Sequence, residues 1–434
     1  MTINFFRWHE LDAATRTRIL RRSQETIDGV AGAVRPILED VKEHGDDALI
    51  RYAAKFDGAN LTPDTIKVSS AEFAAARTRL DPALKTAIER CCGNVRRFHA
   101  EQMRRVEADW MMEVEPGVFA GEKVTPISSV GIYVPRGKNA FPSAMYMLCV
   151  PAVLAGVPEI AVVTPPRADG SADDASLYAA ELSGIKTVYK VGGAQAIAAL
   201  AYGTETVPAV RKVVGPGSPY VAAAKVLLSS HIDPGMPAGP SEAIVLCDST
   251  ADPETTVLDL MNEAEHGPDA AALLITHDET LAKKIAAALP AAIAAVPEPQ
   301  RGWLETVFSG FGGVVLTRSL EESIEVANLY AAEHVLLKVA DPQSVIKKLK
   351  NCGEILIGEW TAFSLGNYGT GVNHVLPTGG WAHTYSCTSV WDFLKRTSLS
   401  EVTKEGFAAL APDVERLTVY EGFQVHADVL RKRY

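Results

Sequence analysis

Short β-branched runs alternate with alanine-rich segments of helical length through most of this chain: VGIYVP near 130, EIAVVTP near 159, TVYKVG near 187, RKVVG near 211, then EAIVLCD, AALLITHD, GGVVLTRS, HVLLKV and EILIGE. Strands that are apolar at nearly every position are buried on both faces, and strand–helix–strand succession demands right-handed crossovers. The pattern predicts an α/β protein built on parallel sheets. The turn-rich string PGMPAGPSE, residues 234–242, separates the strands into two groups and marks the expected domain junction.

Outside that region the pattern changes. Ile27, Val30, Val34, Ile37 and Val41 recur at helical spacing with Gly45 as a stop, so residues 1–128 read as mainly helical. After about residue 387 no strand alternation remains, and the tail reads as helical.

At 434 residues, with 47% hydrophobic and 22% charged residues, the chain suffices for two or more domains with full cores. A net charge of −11 opposes nucleic acid and acidic membranes as partners, since both require a basic surface, but it leaves a small anionic ligand open. The cysteines at 91, 92, 149, 247, 352 and 387 show no CxxC or other ligand spacing, which suggests a reduced compartment. The start MTINFFRWHELD has no apolar run of a signal peptide, and the longest apolar stretch, 144–157, is interrupted by Pro151 and too short for the roughly 20 residues of a membrane span. A cytoplasmic location is expected.

Three pairings of carboxylate and imidazole draw attention. Glu263 and His266 lie three apart on a predicted helix that stops at Gly267-Pro268, so both side chains leave one face and suit one metal ion. Two ligands are too few, and the same spacing also fits an exposed pair bonded to itself. Glu333-His334, in YAAEHVLLKV, falls at a helix-to-strand junction where the two side chains diverge. That suits an acid and a base acting on different atoms of one substrate, although a histidine capping a helix end fits equally. Glu421 and His426 form the third pairing, near the end of the chain. His374 is a loop histidine. The glycine turns after three strands of the first group suit phosphates at helix N-termini, but GPGSPY lacks the third glycine of a dinucleotide fingerprint.

In order along the chain, GIYVP, VGGAQAIAAL, VVGPG, MPAGPSE, EAEHGPD, YAAEH, NHVLPT and a terminal EGFxxHA resemble the histidinol dehydrogenase family from near residue 125 to the end. The resemblance implies two Rossmann-like α/β domains, N-terminal helices and a helical tail that crosses to the partner of a homodimer. The implied division is an N-terminal extension over 1–28, a domain of 29–128 with 242–386 for metal and catalysis, an NAD-binding domain over 129–241 and the tail over 387–434. It also implies zinc and NAD, and oxidation of a primary alcohol to a carboxylate in two hydride transfers. Position by position, Glu333 resembles the residue that activates water, His334 the acid–base group, and Glu263, His266, Asn367 and His426 the zinc ligands. Ser241, His374 and Glu421 match substrate contacts, and Tyr133, Gln195 and Ser218 match NAD contacts. On this model Glu421 and His426 act in the partner's site.

Departures from the family pattern direct the substrate expectation. The family normally has glutamine where this chain has Glu263 and aspartate where it has Asn367, a reciprocal exchange that leaves the summed ligand charge unchanged. Phe363 replaces a glutamate near the imidazole of histidinol, Ser218 replaces an asparagine, and Arg136 and Lys138 stand in a segment that is commonly small and neutral. Guanidinium and ammonium groups suit a fixed oxyanion, or the pyrophosphate of the cofactor. Within the family the pattern is most similar to sulfopropanediol 3-dehydrogenases, so a small anionic alcohol is the expected substrate, 2,3-dihydroxypropane-1-sulfonate going to sulfolactate. The alternatives are L-histidinol going to L-histidine, and an α/β protein that binds a small ligand without turning it over.

Overall fold

The computed structural model describes residues 1–22, 25–136 and 140–433. Its strands, in chain order, are β1 (Phe5–Arg7), β2 (Trp110–Glu115), β3 (Val118–Pro126), β4 (Ser129–Tyr133), β5 (Glu159–Val163), β6 (Val188–Tyr189), β7 (Lys212–Val214), β8 (Glu242–Cys247), β9 (Ala271–Thr276), β10 (Gly313–Leu316), β11 (His334–Lys338), β12 (Glu354–Ile357) and β13 (Leu394–Val402). They form a parallel six-stranded sheet in the order β1-β10-β9-β8-β11-β12, a parallel four-stranded sheet β6-β5-β4-β7, and an antiparallel three-stranded sheet β13-β3-β2. Every residue of β4, β8, β9 and β11 is buried, as strands covered by helices on both faces must be. The α/β class with parallel sheets is therefore the observed one, and the segment 234–241 joins the last strand of the four-stranded sheet to the first central strand of the six-stranded sheet.

Several sequence expectations need correction. Residues 1–128 are mainly helical as expected, but β1 adds an edge strand beside β10, and β2 and β3 precede β4. The tail is not purely helical, since β13 runs antiparallel to β3 over the full register from Leu394↔Pro126 to Val402↔Val118. Its sequence LKRTSLSEV is largely exposed, so it carries no apolar alternation to read. The helices of residues 29–104 also pack elsewhere than expected. Val34, Leu38 and Val41 share a core with β4–β7 residues such as Val163 and Val213, and Ile88, Cys92 and Val95 join the core on the other face of that sheet. These helices thus cover the four-stranded sheet rather than the six-stranded one. Gly45 does not end its helix, which spans Glu25–Tyr52. It kinks there instead, at φ +47°, where a Cβ would strike the Glu205 carboxylate.

Candidate active site

The site lies between the two parallel sheets and uses opposite edges of them. On the four-stranded sheet the carboxyl ends face it: Tyr133 ends β4, Gln195 sits in the first turn of the helix Gly193–Tyr202 that follows β6, and Ser218 immediately precedes the helix Pro219–Leu227 after β7. The strand order reverses between β4 and β7, which opens the crevice where such sheets take ligands. The turn after β7 must pass close to β4. Gly215 has φ +120°, and a Cβ there would lie 2.0 Å from the Tyr133 carbonyl oxygen. The Tyr133 hydroxyl in turn accepts from the Gly193 backbone N–H at 3.2 Å.

On the six-stranded sheet it is the amino ends that face the site. Glu242 opens β8, His334 opens β11 and Glu354 opens β12, while Glu263 comes from the last turns of the helix Pro253–Ala264, which runs back along the sheet. The helix Leu320–Tyr330 ends with Ala331 at φ +51°, a left-handed turn that delivers Glu333 and His334 into the site. Together these elements enclose a cavity of about 1030 Å³. This is at the upper end of the roughly 300–1,000 Å³ usual for small-molecule sites. Tyr133, Arg136, Gln195, Ser218, Ser241, Glu263, His266, Glu333, His334, Asn367 and His374 all line it.

Two polar clusters face each other there. In the first, the Glu263 carboxylate is 1% exposed. It meets His266 Nδ1 at 3.0 Å through one oxygen and accepts from Asn367 Nδ2 at 2.6 Å through the other. Burial raises the Glu263 pKa, but the His266 hydrogen bond and the charges of His334 and His266 outweigh it and hold the carboxyl well below its usual range. His374 Nδ1 lies 2.5 Å from the Asn367 carbonyl oxygen, and its burial depresses its pKa to about 4, so the ring stays neutral near pH 7.

In the second cluster Glu333 Oε2 accepts from the Glu242 backbone N–H at 2.9 Å, and Oε1 stands 3.9 Å from His334 Nε2. Burial, reinforced by the Glu263 charge, pushes the Glu333 carboxyl up against the opposing effect of His334. Burial alone lowers His334, but the carboxylates of Glu333, Glu263 and Glu354 reverse that and raise it. Both groups thus hold protons more tightly than they would in water, and a buried carboxyl and imidazole side by side are the pairing proton transfer calls for.

Behind this pair, Glu242 is held by Arg22 Nη2 at 2.5 Å and the Gly379 N–H at 2.8 Å, and the Arg22 guanidinium lies 3.6 Å from the centre of the Tyr330 ring. The N-terminal segment therefore braces the backbone that positions Glu333. Neither Arg22–Glu242 nor Glu354 was among the sequence candidates. A partner far along the chain leaves no local signal.

Other candidates sit differently. Arg136 lines the cavity but donates from Nη1 to the Pro166 carbonyl at 2.8 Å, while Lys138 lies outside the described residues. Glu421 and His426 are exposed on the tail and do not line the cavity of their own chain. Among the described residues no three His, Cys, Asp or Glu side chains converge as a metal site, because the third donor beside Glu263 and His266 is the Asn367 amide. No helix among them is long and apolar enough to cross a membrane.

The family model for histidinol dehydrogenase matches residues 20–434. The chain belongs to the histidinol dehydrogenase family. It is 48% identical over 96% of its length to the histidinol dehydrogenase of Synechocystis sp., covering 95% of that protein. It is 47% identical over 98% of its length to a histidinol dehydrogenase homolog of Rhizobium meliloti, covering 93% of that one. Its structure resembles that of histidinol dehydrogenase from Elizabethkingia anophelis with a TM-score of 0.90 and 34% identity, over 99% of this chain and 98% of the other.

Within the histidinol dehydrogenase family, these likenesses overturn the sulfonate reading: relatives matched along nearly the whole chain carry the histidinol name. The site agrees with them. Phe363 is fully buried in the core of the six-stranded sheet and does not line the cavity, so it is not placed to meet a substrate there. Glu263 and Glu333 line the cavity beside His266 and His334, with Glu354 behind His334, so each carboxylate there is matched by an imidazole.

Proposed function

We propose that this protein oxidises L-histidinol to L-histidine, with NAD as the hydride acceptor, zinc as the resident metal and a homodimer as the working form. The observation that carries the reading is the placement of the Glu333–His334 pair opposite Glu263, His266 and Asn367 across one cavity that also reaches Tyr133, Gln195 and Ser218.

The donor set fits zinc. A carboxylate, an imidazole and an amide converge, the carboxylate stays ionised, and a half-turn of the Asn367 amide presents its oxygen in place of the nitrogen now bonded to Glu263. When bound, zinc supplies Lewis-acid polarisation of the substrate oxygen, and NAD takes up the hydride. The protein's own groups handle the protons. His334 Nε2 accepts the alcohol proton as the carbon gives up its first hydride, leaving the aldehyde. Glu333 then accepts a proton from water as the water oxygen adds to the aldehyde carbon, while the carbonyl oxygen takes back the proton held by His334. The resulting diol gives up a second hydride as one hydroxyl proton passes to His334, which leaves the acid. Ser241 and His374 would orient the substrate. We place the cofactor on the lobe built on β4–β7 and the metal on the lobe built on β8–β12.

A fourth ligand from a second copy accounts for the exposed tail. Val425 is 73% exposed and Phe423 53% exposed, beside His426, an apolar surface suited to burial against a partner. Mixing inactive Glu333→Ala protein with inactive His426→Ala protein under subunit exchange should restore part of the activity; no recovery despite proven exchange refutes the crossed arrangement. The function itself is tested by NADH absorbance on histidinol with zinc-loaded and chelator-treated protein. Two NADH per histidinol, lost on chelation and regained with zinc, is the expected result. No turnover by metal-replete dimer would overturn the reading.

A further inference from the structure

Glu354 is the one carboxylate beside the reacting pair to which no role has been given. It opens β12 directly opposite His334 in the parallel register of β11 and β12, and its Oε2 lies 2.7 Å from His334 Nδ1. The carboxylate is almost wholly buried and its other oxygen, Oε1, has no hydrogen-bond partner. A buried anion satisfied at one oxygen only is costly to the fold and needs a reason beyond packing. Room has been kept for it: a Cβ on Gly366 would come within 2.8 Å of Oε1. The opposite side of the imidazole is closed by Phe363, whose ring meets that of His334 edge to face at 5.9 Å between centroids.

We propose that Glu354 is a positioning residue for the oxidation: by accepting the hydrogen bond of His334 Nδ1–H it fixes the orientation and tautomer of the ring, so that Nε2 is always the nitrogen presented to the substrate. The geometry has the expected consequence. With Nδ1 taken by Glu354, Nε2 points into the cavity toward Glu333 Oε1, at 3.9 Å, a gap that leaves the Nε2 lone pair for an incoming hydroxyl. Glu354 does not line the cavity, so it acts on the substrate only through His334. This rests on the reading of His334 as the group that takes the alcohol proton. It adds a carboxylate–imidazole relay of the kind in which a carboxylate behind a histidine sets which nitrogen does the chemistry.

The decisive variant is Glu354→Gln. Glutamine keeps the shape, but its amide can turn NH₂ toward Nδ1, which places the ring proton on Nε2 and removes the base. In the serine protease triad the equivalent change lowers kcat about 10⁴-fold. Here kcat for histidinol should fall by about 10²-fold or more, with KM for histidinol, NAD binding and Tm close to those of the parent protein. In parallel, proton NMR of the parent protein should show a far-downfield imidazole N–H resonance that disappears in His334→Asn and in Glu354→Gln. Glu354→Gln protein with kcat within threefold of the parent, or with a loss confined to KM, would overturn the proposal. So would absence of that resonance from the parent protein, a readout that needs no variant to fold. If His334→Asn itself keeps full activity, the underlying assignment of His334 fails instead, and the two failures are told apart.

Discussion

Glu333→Gln protein should fold normally, reduce one NAD per histidinol instead of two, and release the aldehyde. The amide oxygen can still accept from the Glu242 N–H, now 2.9 Å from Glu333 Oε2, and the other end of the side chain faces the cavity, where water can meet the new NH₂ donors. Replacing a buried carboxyl by a neutral isostere also relieves the cost of burying its charge, so Tm should hold or rise. What is lost is the proton acceptor for water. General acid–base groups contribute about 10²–10⁴-fold, so the aldehyde-to-acid step should slow by that factor while the first hydride transfer, served by His334, slows much less. Stopped-flow NADH traces with an aldehyde trap distinguish the steps. A variant that still delivers two NADH at the parent rate removes Glu333 from the water step.

How much of this was readable beforehand follows from where each constraint resides. β4, β8, β9 and β11 announce themselves because burial on both faces forces apolar residues at almost every position. β1, three residues long, and β13, exposed along most of its length, have their pairing partners far away in sequence, so local pattern says nothing of them. The same division runs through the site. Glu263 and His266 share a helix face and could be paired by counting, whereas the approach of Asn367 to Glu263, 104 positions away, was available only through family likeness. Glu354 faces His334 because β11 and β12 pair in that register, and nothing in either strand's own sequence declares it. Arg136 lines the cavity as its loop suggested, whereas its Nη1 hydrogen bond to the Pro166 carbonyl, 30 positions on, has no local signal.

The exchange of acid and amide at Glu263 and Asn367 predicts a cycle of effects larger than either substitution suggests alone. Glu263→Gln leaves two amides and the only protein carboxylate of the set is gone. A unit charge about 4 Å from another contributes about 4 kcal/mol at an effective dielectric of 20, so zinc affinity should fall on the order of 10³-fold. Asn367→Asp does the opposite. It sets a second carboxylate where the Asn367 amide now approaches Glu263 Oε1 to 2.6 Å, and without metal one of the two must take up a proton or the pair must separate. The metal-free protein should lose Tm and the zinc-bound protein should gain it, widening the shift on zinc addition. The double variant Glu263→Gln/Asn367→Asp restores a single carboxylate on the other arm of the site, and its zinc affinity should return to within about tenfold of the parent. Competition against a chromophoric chelator, with Tm read with and without zinc, measures all four corners of the cycle. If the double variant binds zinc as weakly as Glu263→Gln alone, then the placement of the charge on the Pro253–Ala264 helix, and not the summed charge of the ligands, governs the site.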